Sequence, residues 1–184
     1  MKWIIVLVLY ISSDQITEKT QLELISRLFA GREQTVSNSG ETTPSVYDTE
    51  AEIFEKVEET YGFQPVKMMY LPSKAVFYEG VFCADMQGVN LVYETNHNTS
   101  IIYIIRPDYR KSSIGTDIED EKVQEYQMTV NDVEITVTKY FIKESGKSKW
   151  AACFVYEDVL YLLRITDIEQ DEMEKVINNL HFFK

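Results

Sequence analysis

The closing stretch of the chain decides the fold, and it reads KWAACFVYEDVLYLLRITDIEQDEMEKVINNLHFF from Lys149 to Phe183. Two runs rich in aromatic and β-branched residues flank the polar pair Glu157-Asp158, which is the short-range pattern of a β-hairpin. The segment after the hairpin carries apolar residues at helical spacing, namely Met173, Val176, Ile177 and Leu180. A helix of this kind buries its apolar face by lying back on the sheet, so the stretch predicts an α+β domain.

Strand-like runs fill the chain upstream of this hairpin, and turn residues separate them. The runs span residues 66–71, 75–85, 89–94, 100–106, 123–130 and 133–141. The dipeptide Asn131-Asp132 tolerates positive φ and therefore predicts a tight hairpin turn. The run from Ile101 to Ile105 is apolar on both alternating phases, so this strand should be central and covered on both faces. The predicted sheet is an antiparallel meander of about six to eight strands, packed by an N-terminal and a C-terminal helix.

The N-terminal helix is predicted from its two ends. Thr49 and Glu52 fit a capping box, in which the two residues satisfy exposed helix N–H groups reciprocally. One apolar face follows, made of Ile53, Phe54, Val57 and Tyr61. Gly62 is well placed as the left-handed residue that ends the helix. The α+β domain is therefore predicted to span residues 49–184.

The first 30 residues begin with nine apolar residues, Trp3 to Ile11, after a single lysine. Nine residues cover under half of a hydrocarbon core of about 30 Å, but the length suits the apolar region of a signal peptide. This segment is a signal or membrane anchor, or else a buried element of the fold, and both interpretations stay open. Ile16 to Phe29 is predicted to be an amphipathic stem, and residues 31–48, rich in Ser, Thr and Gly, a polar linker.

Composition and motifs argue against several functions. The 184 residues include 30 acidic and 18 basic side chains, for a formal charge of -12, and such a surface repels nucleic acid. The sequence contains no nucleophile motif, metal-ligand spacing or phosphate-binding loop. We therefore predict a protein that is not an enzyme, with no catalytic, metal-binding or cofactor-binding residues and no cofactor.

The two cysteines, Cys83 and Cys153, each lie within an apolar strand-like run. Neither has a second cysteine or a histidine nearby, so a metal site is not indicated. Buried thiols that pack as small apolar groups are one interpretation. A disulfide is the other, and it requires an exporting context and Cα atoms about 6 Å apart.

The strands carry a surplus of aromatic residues. Because a sheet has two faces and the helices cover one, several of these rings should line the other face, where they would form a ligand or peptide groove. The candidate ligand or partner face comprises Tyr78, Tyr93, Tyr103, Tyr140, Trp150 and Tyr156. Core packing, with the tyrosine hydroxyls at the rim, is the alternative.

Several short motifs resemble those of a known family. They are Tyr61-Gly62-Phe63-Gln64-Pro65, Leu71-Pro72, the hairpin Val130-Asn131-Asp132-Val133, Trp150, Tyr161 and the closing Ile177-Asn178-Asn179-Leu180. On these motifs, residues 49–183 resemble the domain-of-unknown-function family numbered four-three-six-seven in the DUF series. The resemblance implies an extracytoplasmic domain of membrane-attached proteins of Gram-positive bacteria, often near anti-sigma-factor-like regions. It implies no activity.

Two hypotheses of function follow. The first is a non-catalytic binding or sensory module outside the membrane, secreted or attached through Trp3–Ile11, whose ligand is an unknown peptide, protein or apolar small molecule. The second is a structural or protein-interaction domain of a membrane-associated, anti-sigma-like assembly, with the strand edge Val123–Phe141 as its contact. The location of exposed apolar surface, in a concave pocket or along a flat edge, distinguishes the two.

Overall fold

The computed structural model describes residues 44–83, 88–95, 99–107 and 120–183. All of these residues belong to one compact unit, residues 42–184. The predicted signal or anchor segment Trp3–Ile11, the stem Ile16–Phe29 and most of the predicted linker lie outside the described residues.

The described residues form an α+β domain that is mostly antiparallel sheet. The strands are β1 (Ser45–Tyr47), β2 (Lys67–Met68), β3 (Val76–Cys83), β4 (Gly88–Glu94), β5 (Ser100–Arg106), β6 (Glu121–Val130), β7 (Val133–Ile142), β8 (Lys147–Tyr156), β9 (Val159–Thr166) and β10 (Leu180–His181). The two α-helices are α1 (Glu50–Tyr61) and α2 (Gln170–Asn178), and a short 3-10 turn spans Pro72–Lys74.

Eight strands form one sheet in the order β1-β3-β4-β5-β9-β8-β7-β6, and every neighbouring pair is antiparallel. Strands β3 to β5 and strands β6 to β9 are two meanders of chain neighbours. The meanders join where β5 pairs with β9, so that Tyr103 lies opposite Leu163. This arrangement leaves β1 at one edge of the sheet and β6 at the other.

The tight turns that the sequence predicts are present. Asn131 and Asp132 have φ values of 50° and 63°, and Glu157 and Asp158 have φ values of 48° and 62°. Two successive residues with positive φ make the turn whose twist matches that of the flanking strands. The hairpins β6–β7 and β8–β9 are therefore confirmed, with their turns where the polar pairs predict them.

Helix α1 also begins and ends where the sequence predicts. Thr49 is its N-cap: the hydroxyl accepts a hydrogen bond from the N–H of Glu52 at 3.3 Å and donates one to the Glu52 carboxylate at 2.8 Å. At the other end Gly62 has a φ of 76°, and its N–H donates to the carbonyl of Glu58 at 2.9 Å. Glycine adopts this left-handed conformation without the steric cost that a Cβ brings.

Helix α2 lacks a comparable cap at its start. Its N-cap residue, Glu169, makes no side-chain capping hydrogen bond. The helix is held by its apolar stripe, in which Met173, Val176 and Ile177 are fully buried. The chain then returns to the domain as β10, which pairs with β2 and places Leu180 opposite Met68.

The hydrophobic core lies between the sheet and the elements that cover one of its faces, here called the helix side. Alternate residues of the central strand β5, namely Ile101, Tyr103 and Ile105, point to this side and are fully buried. Helix α1 approaches β3 so closely that a Cβ added to Gly80 would lie 2.5 Å from Cδ1 of Ile53. A side chain at this position would require Ile53 to shift.

The opposite face of the sheet is mixed in character. Val92, Leu160 and Leu162 are buried but lie outside the main core cluster. The intervening β5 residues, Ile102 and Ile104, are half-buried. The prediction that this strand is central is therefore confirmed, whereas complete burial holds on the helix side and only partial burial on the other.

Three segments differ in detail from the sequence prediction. Ser45–Tyr47 falls in the predicted linker but pairs with β3, because backbone hydrogen bonding needs no apolar pattern. The predicted strand 66–71 is shorter, since the N–H of Met69 bonds to the carbonyl of Asn179 at 3.0 Å and a 3-10 turn follows. The predicted strand 75–85 is observed as β3, with a β-bulge between Phe77 and Glu79.

Candidate functional site

Three of the six aromatic residues in the candidate face lie inside the core. Tyr93, Tyr103 and Trp150 are each at most 1% exposed and point to the helix side. Stacking and edge contacts hold them, for example between Tyr103 and Tyr161, whose ring centroids are 6.0 Å apart. A ligand at the described surface therefore does not reach these rings, and core packing accounts for them.

The polar atoms of these buried rings all have partners. The hydroxyl of Tyr93 donates to the Glu50 carboxylate at 2.6 Å, and the hydroxyl of Tyr103 donates to the carbonyl of Val66 at 2.9 Å. The indole N–H of Trp150 donates to the carbonyl of Ile168 at 3.1 Å. Burial raises the pKa of both tyrosines well above its ordinary value, so they stay neutral and serve the fold.

The other three aromatic residues lie in three different places. Tyr156 is on the helix side, where its hydroxyl donates to the carbonyl of Phe183 at 2.5 Å and helps to hold the C-terminus. Tyr140 is on the opposite face, with the Lys149 ammonium 5.7 Å from its ring centre. Tyr78 is 42% exposed beside the bulge in β3. The structure therefore does not bring the six residues together into one face.

The edge strand β6 is the longest accessible backbone in the described part of the chain. It has ten residues, and β7 is its one neighbour in the sheet order. Its helix-side residues, Tyr126, Met128 and Val130, pack partly against the core. The residues that alternate with them are exposed and polar, namely Glu125, Gln127 and Thr129. The predicted contact edge spanned Val123–Phe141: its first part, β6, lies at the sheet edge, whereas β7 lies between β6 and β8 and is not an edge strand.

The beginning of β6 is protected by charge and irregular geometry. A bulge between Lys122 and Gln124 leaves Val123 59% exposed. The Lys122 ammonium donates to the Glu125 carboxylate at 2.6 Å, and the Thr138 hydroxyl donates to the same carboxylate at 3.1 Å. Both hydrogen bonds lower the pKa of Glu125, and the one from Lys122 has the larger effect. Bulges and charged side chains commonly block edge pairing, so the regular backbone begins at Gln124.

Helix α2 borders the helix-side flank of β6. The hydroxyl of Tyr126 donates to the Glu174 carboxylate at 3.1 Å, and Gln170 donates to the same carboxylate at 2.8 Å. Two causes raise the pKa of Tyr126 to about 12: burial, which is the larger, and the Glu174 carboxylate. The Tyr126 ring meets the Trp150 ring edge to face, with their centroids 6.3 Å apart. The core thus fixes the position of this edge.

The opposite edge of the sheet has a groove that sequence analysis missed. A space of about 430 Å³ lies between β1 and helix α1. Its lining residues are Val46, Tyr47, Asp48, Glu52, Glu55, Lys56 and Glu59. The spacing of Glu52, Glu55 and Glu59 was a signal, since residues three and four apart share one face of a helix. Because β1 was not predicted, this face of helix α1 was expected to be exposed to solvent and not to line a groove.

Cys83 and Cys153 are not joined in a disulfide. Cys83 is buried, and Cys153 is half-buried. Burial raises the pKa of Cys153, which disfavours the reactive thiolate. Among the residues that the structure describes, no three acidic, histidine or cysteine side chains are grouped as a metal site would require. In the same residues, no helix is long and apolar enough to cross a membrane.

The described residues form a small α+β domain, mostly antiparallel sheet, with β1 and β6 at the two edges of the sheet. Residues 65–180 match the family model described as "Domain of unknown function (DUF4367)". The chain therefore belongs to the DUF4367 family, as its motifs suggested. The match includes the β6 edge and begins after α1. No curated protein matches the chain.

Proposed function

We propose that this domain is a non-catalytic protein-interaction module, placed outside the cytoplasmic membrane, that binds an extended segment of a partner protein along the β6 edge. The observation that carries the proposal is the position of β6, a ten-residue strand at the edge of the sheet with β7 as its one neighbour among the described strands. An edge strand presents a row of N–H and C=O groups that a further strand can pair with.

The side chains of β6 specify what kind of segment fits. On the helix side an added strand lies beside Tyr126 and Met128, which pack partly against the core. On the other side it lies beside Gln127 and Thr129, which are exposed and polar. Because strand side chains alternate between faces, the matching segment is one in which apolar and polar residues alternate. Backbone pairing supplies affinity, and these neighbours supply register.

The burial of Tyr93, Tyr103 and Trp150 favours this function over capture of an apolar small molecule. An open aromatic groove was the main argument for a small-molecule sensor. With these rings inside the core, a flat strand edge is the better-supported contact.

The extracytoplasmic location rests on the sequence. The apolar segment Trp3–Ile11 after a single lysine has the length of a signal-peptide core. We propose that this segment directs export or membrane attachment, and that the domain serves a membrane-associated regulatory assembly of the anti-sigma-like kind. Cell fractionation tests it: the full-length protein should lie with the membrane or outside it, and a chain without residues 1–11 should remain cytosolic and folded. A cytosolic full-length protein would contradict this part of the proposal.

The contact itself can be tested by photocrosslinking in cells that express the full-length chain. A benzophenone amino acid replaces Gln127 on β6 in one variant and Met69 in a control variant. Met69 is 68% exposed, so the two probes are both accessible to solvent. We expect one discrete protein adduct from position 127 and none from position 69. Equal labelling from both positions, or no adduct from position 127, would contradict pairing along β6.

A further inference from the structure

We propose that the groove between β1 and α1 is a second docking site, which takes an extended lysine- or arginine-rich segment of a partner protein as an added strand beside β1. The groove is at the opposite edge of the sheet from β6. This inference therefore goes beyond the proposed function, and either can fail without the other.

The backbone of β1 provides one wall of the site. In the sheet order, β1 has β3 as its one neighbour, with Val46 opposite Val81 and Tyr47 opposite Gly80. Val46 and Tyr47 of β1 also line the groove of about 430 Å³. A strand edge bordered by a helix is a common way to bind an extended peptide, because the strand gives backbone hydrogen bonds and the helix gives side-chain contacts.

The charge of the groove selects the partner. Asp48 and three glutamates of α1, Glu52, Glu55 and Glu59, line it against one cation, Lys56. The Lys56 ammonium lies 3.3 Å from the Glu59 carboxylate. Within the described part of the chain no hydrogen bond or ion pair is formed by the carboxylates of Asp48 and Glu55. A basic segment supplies the missing positive charge, whereas an acidic segment is repelled.

A neighbouring carboxyl group reports the same excess of negative charge. Glu79 lies on β3, the strand that pairs with β1. Burial raises its pKa, and the Asp48 carboxylate raises it further. Like charges close together disfavour each other's ionised forms. A bound cation beside Asp48 would relieve this repulsion.

The groove also has an apolar surface on which the stem of a long basic side chain can lie. Val46 is 61% exposed, and Tyr47 is a partly buried residue packed against the core. Lysine and arginine cover apolar surface with their methylene groups while the charged end stays in water. The arrangement therefore fits a segment in which basic residues alternate with small apolar ones.

The test uses the full-length protein and a fluorescent peptide of about ten residues, blocked at both ends, in which lysine alternates with valine. The groove variant carries Glu52→Gln, Glu55→Gln and Glu59→Gln. The control variant carries Glu134→Gln, Glu144→Gln and Glu157→Gln, which are exposed residues outside both the groove and β6. Both variants change the net charge equally, so a difference between them comes from the site and not from the overall field. Circular dichroism confirms that each is folded.

Fluorescence anisotropy at low salt should show saturable binding of the peptide to the wild-type protein. We expect the groove variant to weaken binding by about tenfold or more and the control variant by less than about twofold. A second peptide with the same side chains carries N-methyl groups on alternate backbone nitrogens. It should bind much more weakly, because it cannot form the full set of hydrogen bonds with a strand edge.

Three results would overturn the inference. They are an absence of binding by the lysine–valine peptide, equal weakening by the groove and control variants, and unchanged binding of the N-methylated peptide. The second would show attraction to the acidic surface as a whole, and the third would show ionic contact without strand addition. None of these results bears on crosslinking from position 127 of β6.

Discussion

The two edges of the sheet differ in length, in charge and in their relation to the family. The β6 edge has ten residues, and a partly buried apolar row alternates with an exposed polar one. The β1 edge has three residues and borders an acidic groove. Only the β6 edge lies in the segment, 65–180, that matches the family model. The β6 edge therefore offers mainly backbone hydrogen-bonding groups, and the β1 edge offers mainly negative charge.

The support beneath the two edges differs in a parallel way. Aromatic packing supports β6, through Tyr126 and the buried ring of Trp150. On the β1 side, helix α1 packs on β3 at Gly80, where an added Cβ would lie 2.5 Å from Cδ1 of Ile53. Buried rings therefore support β6, and the close approach of α1 supports β3, the strand that pairs with β1.

The largest effect is expected on the β6 side. Trp150→Ala removes a fully buried indole and its hydrogen bond to Ile168, and should lower the free energy of unfolding by about 3–5 kcal/mol. Urea denaturation followed by circular dichroism measures it. Tyr140→Ala, which alters the opposite face at a half-buried position, is the control and should cost clearly less. Equal losses would mean that the helix side is not the main core.

The close approach at Gly80 should give the next largest effect. Gly80→Ala places a Cβ against Ile53 and should cost about 1–3 kcal/mol, because a tightly packed core does not absorb an extra carbon easily. The matched variant is Ile53→Val, which removes the Cδ1 atom that the new carbon would meet. In a double-mutant cycle Gly80→Ala should cost less when Ile53→Val is already present. Strict additivity would show that the helix does not press on this glycine.

Substitutions at the two helix N-caps should have smaller effects on stability, and the effect should be larger for α1 than for α2. Thr49→Ala removes the side-chain cap of α1 and should cost about 1 kcal/mol. Glu169→Ala occupies the same position in α2, where no side-chain capping bond is present, and should change stability by less than about 0.5 kcal/mol. Thermal and urea denaturation of the two variants measure the difference. A larger loss in the Glu169 variant would contradict the capping geometry.

The smallest expected effect is on the pH dependence of stability. Its sign should differ between Glu125 on the β6 side and Glu79 on the β1 side. The pKa of Glu125, on β6, is lowered from its ordinary value of 4.5, so its contribution to stability is present at neutral pH and lost as the pH falls through the lowered pKa. The pKa of Glu79, on β3, is raised above 4.5. Its contribution is present at acidic pH and lost as the pH rises through the raised pKa.

Single substitutions test this opposition. At pH 7, Glu125→Gln should decrease the free energy of unfolding and Glu79→Gln should increase it, and both differences should shrink as the pH is lowered. Urea denaturation between about pH 3 and pH 7 provides the measurement. Changes of the same sign at neutral pH would contradict the charge environments described for the two sides.

Local features of the fold could be predicted from the sequence, because neighbouring residues determine them. The Asn131-Asp132 turn and the Thr49 and Gly62 caps of α1 depend on residues within one turn of chain, and each is present. The pairing of β5 with β9 could not be derived, since no local pattern specifies which distant strands meet. The same applies to β1, whose three residues show no apolar alternation.

The positions of the aromatic residues on the two faces of the sheet show why the site was harder to predict than the fold. Period-two alternation separates Tyr103 from Ile102, but it does not say which face the helices cover. Once the helix side is known, Tyr93, Tyr103 and Trp150 belong to the core and Tyr140 does not. The β6 edge was predicted because its hairpin is local, and the acidic groove was missed because it needs two elements to form.

The central claim is that the β6 edge is open for pairing, and amide hydrogen exchange in the purified full-length protein tests it most directly. Along Gln124–Val130 we predict an alternating pattern, in which amides bonded to β7 exchange slowly and those that point away exchange quickly. The amides of Lys149–Cys153 in β8, which pairs with β7 on one side and β9 on the other over these residues, should all exchange slowly. Uniformly slow exchange along β6, matching β8, would show that this edge is already occupied and would contradict the account.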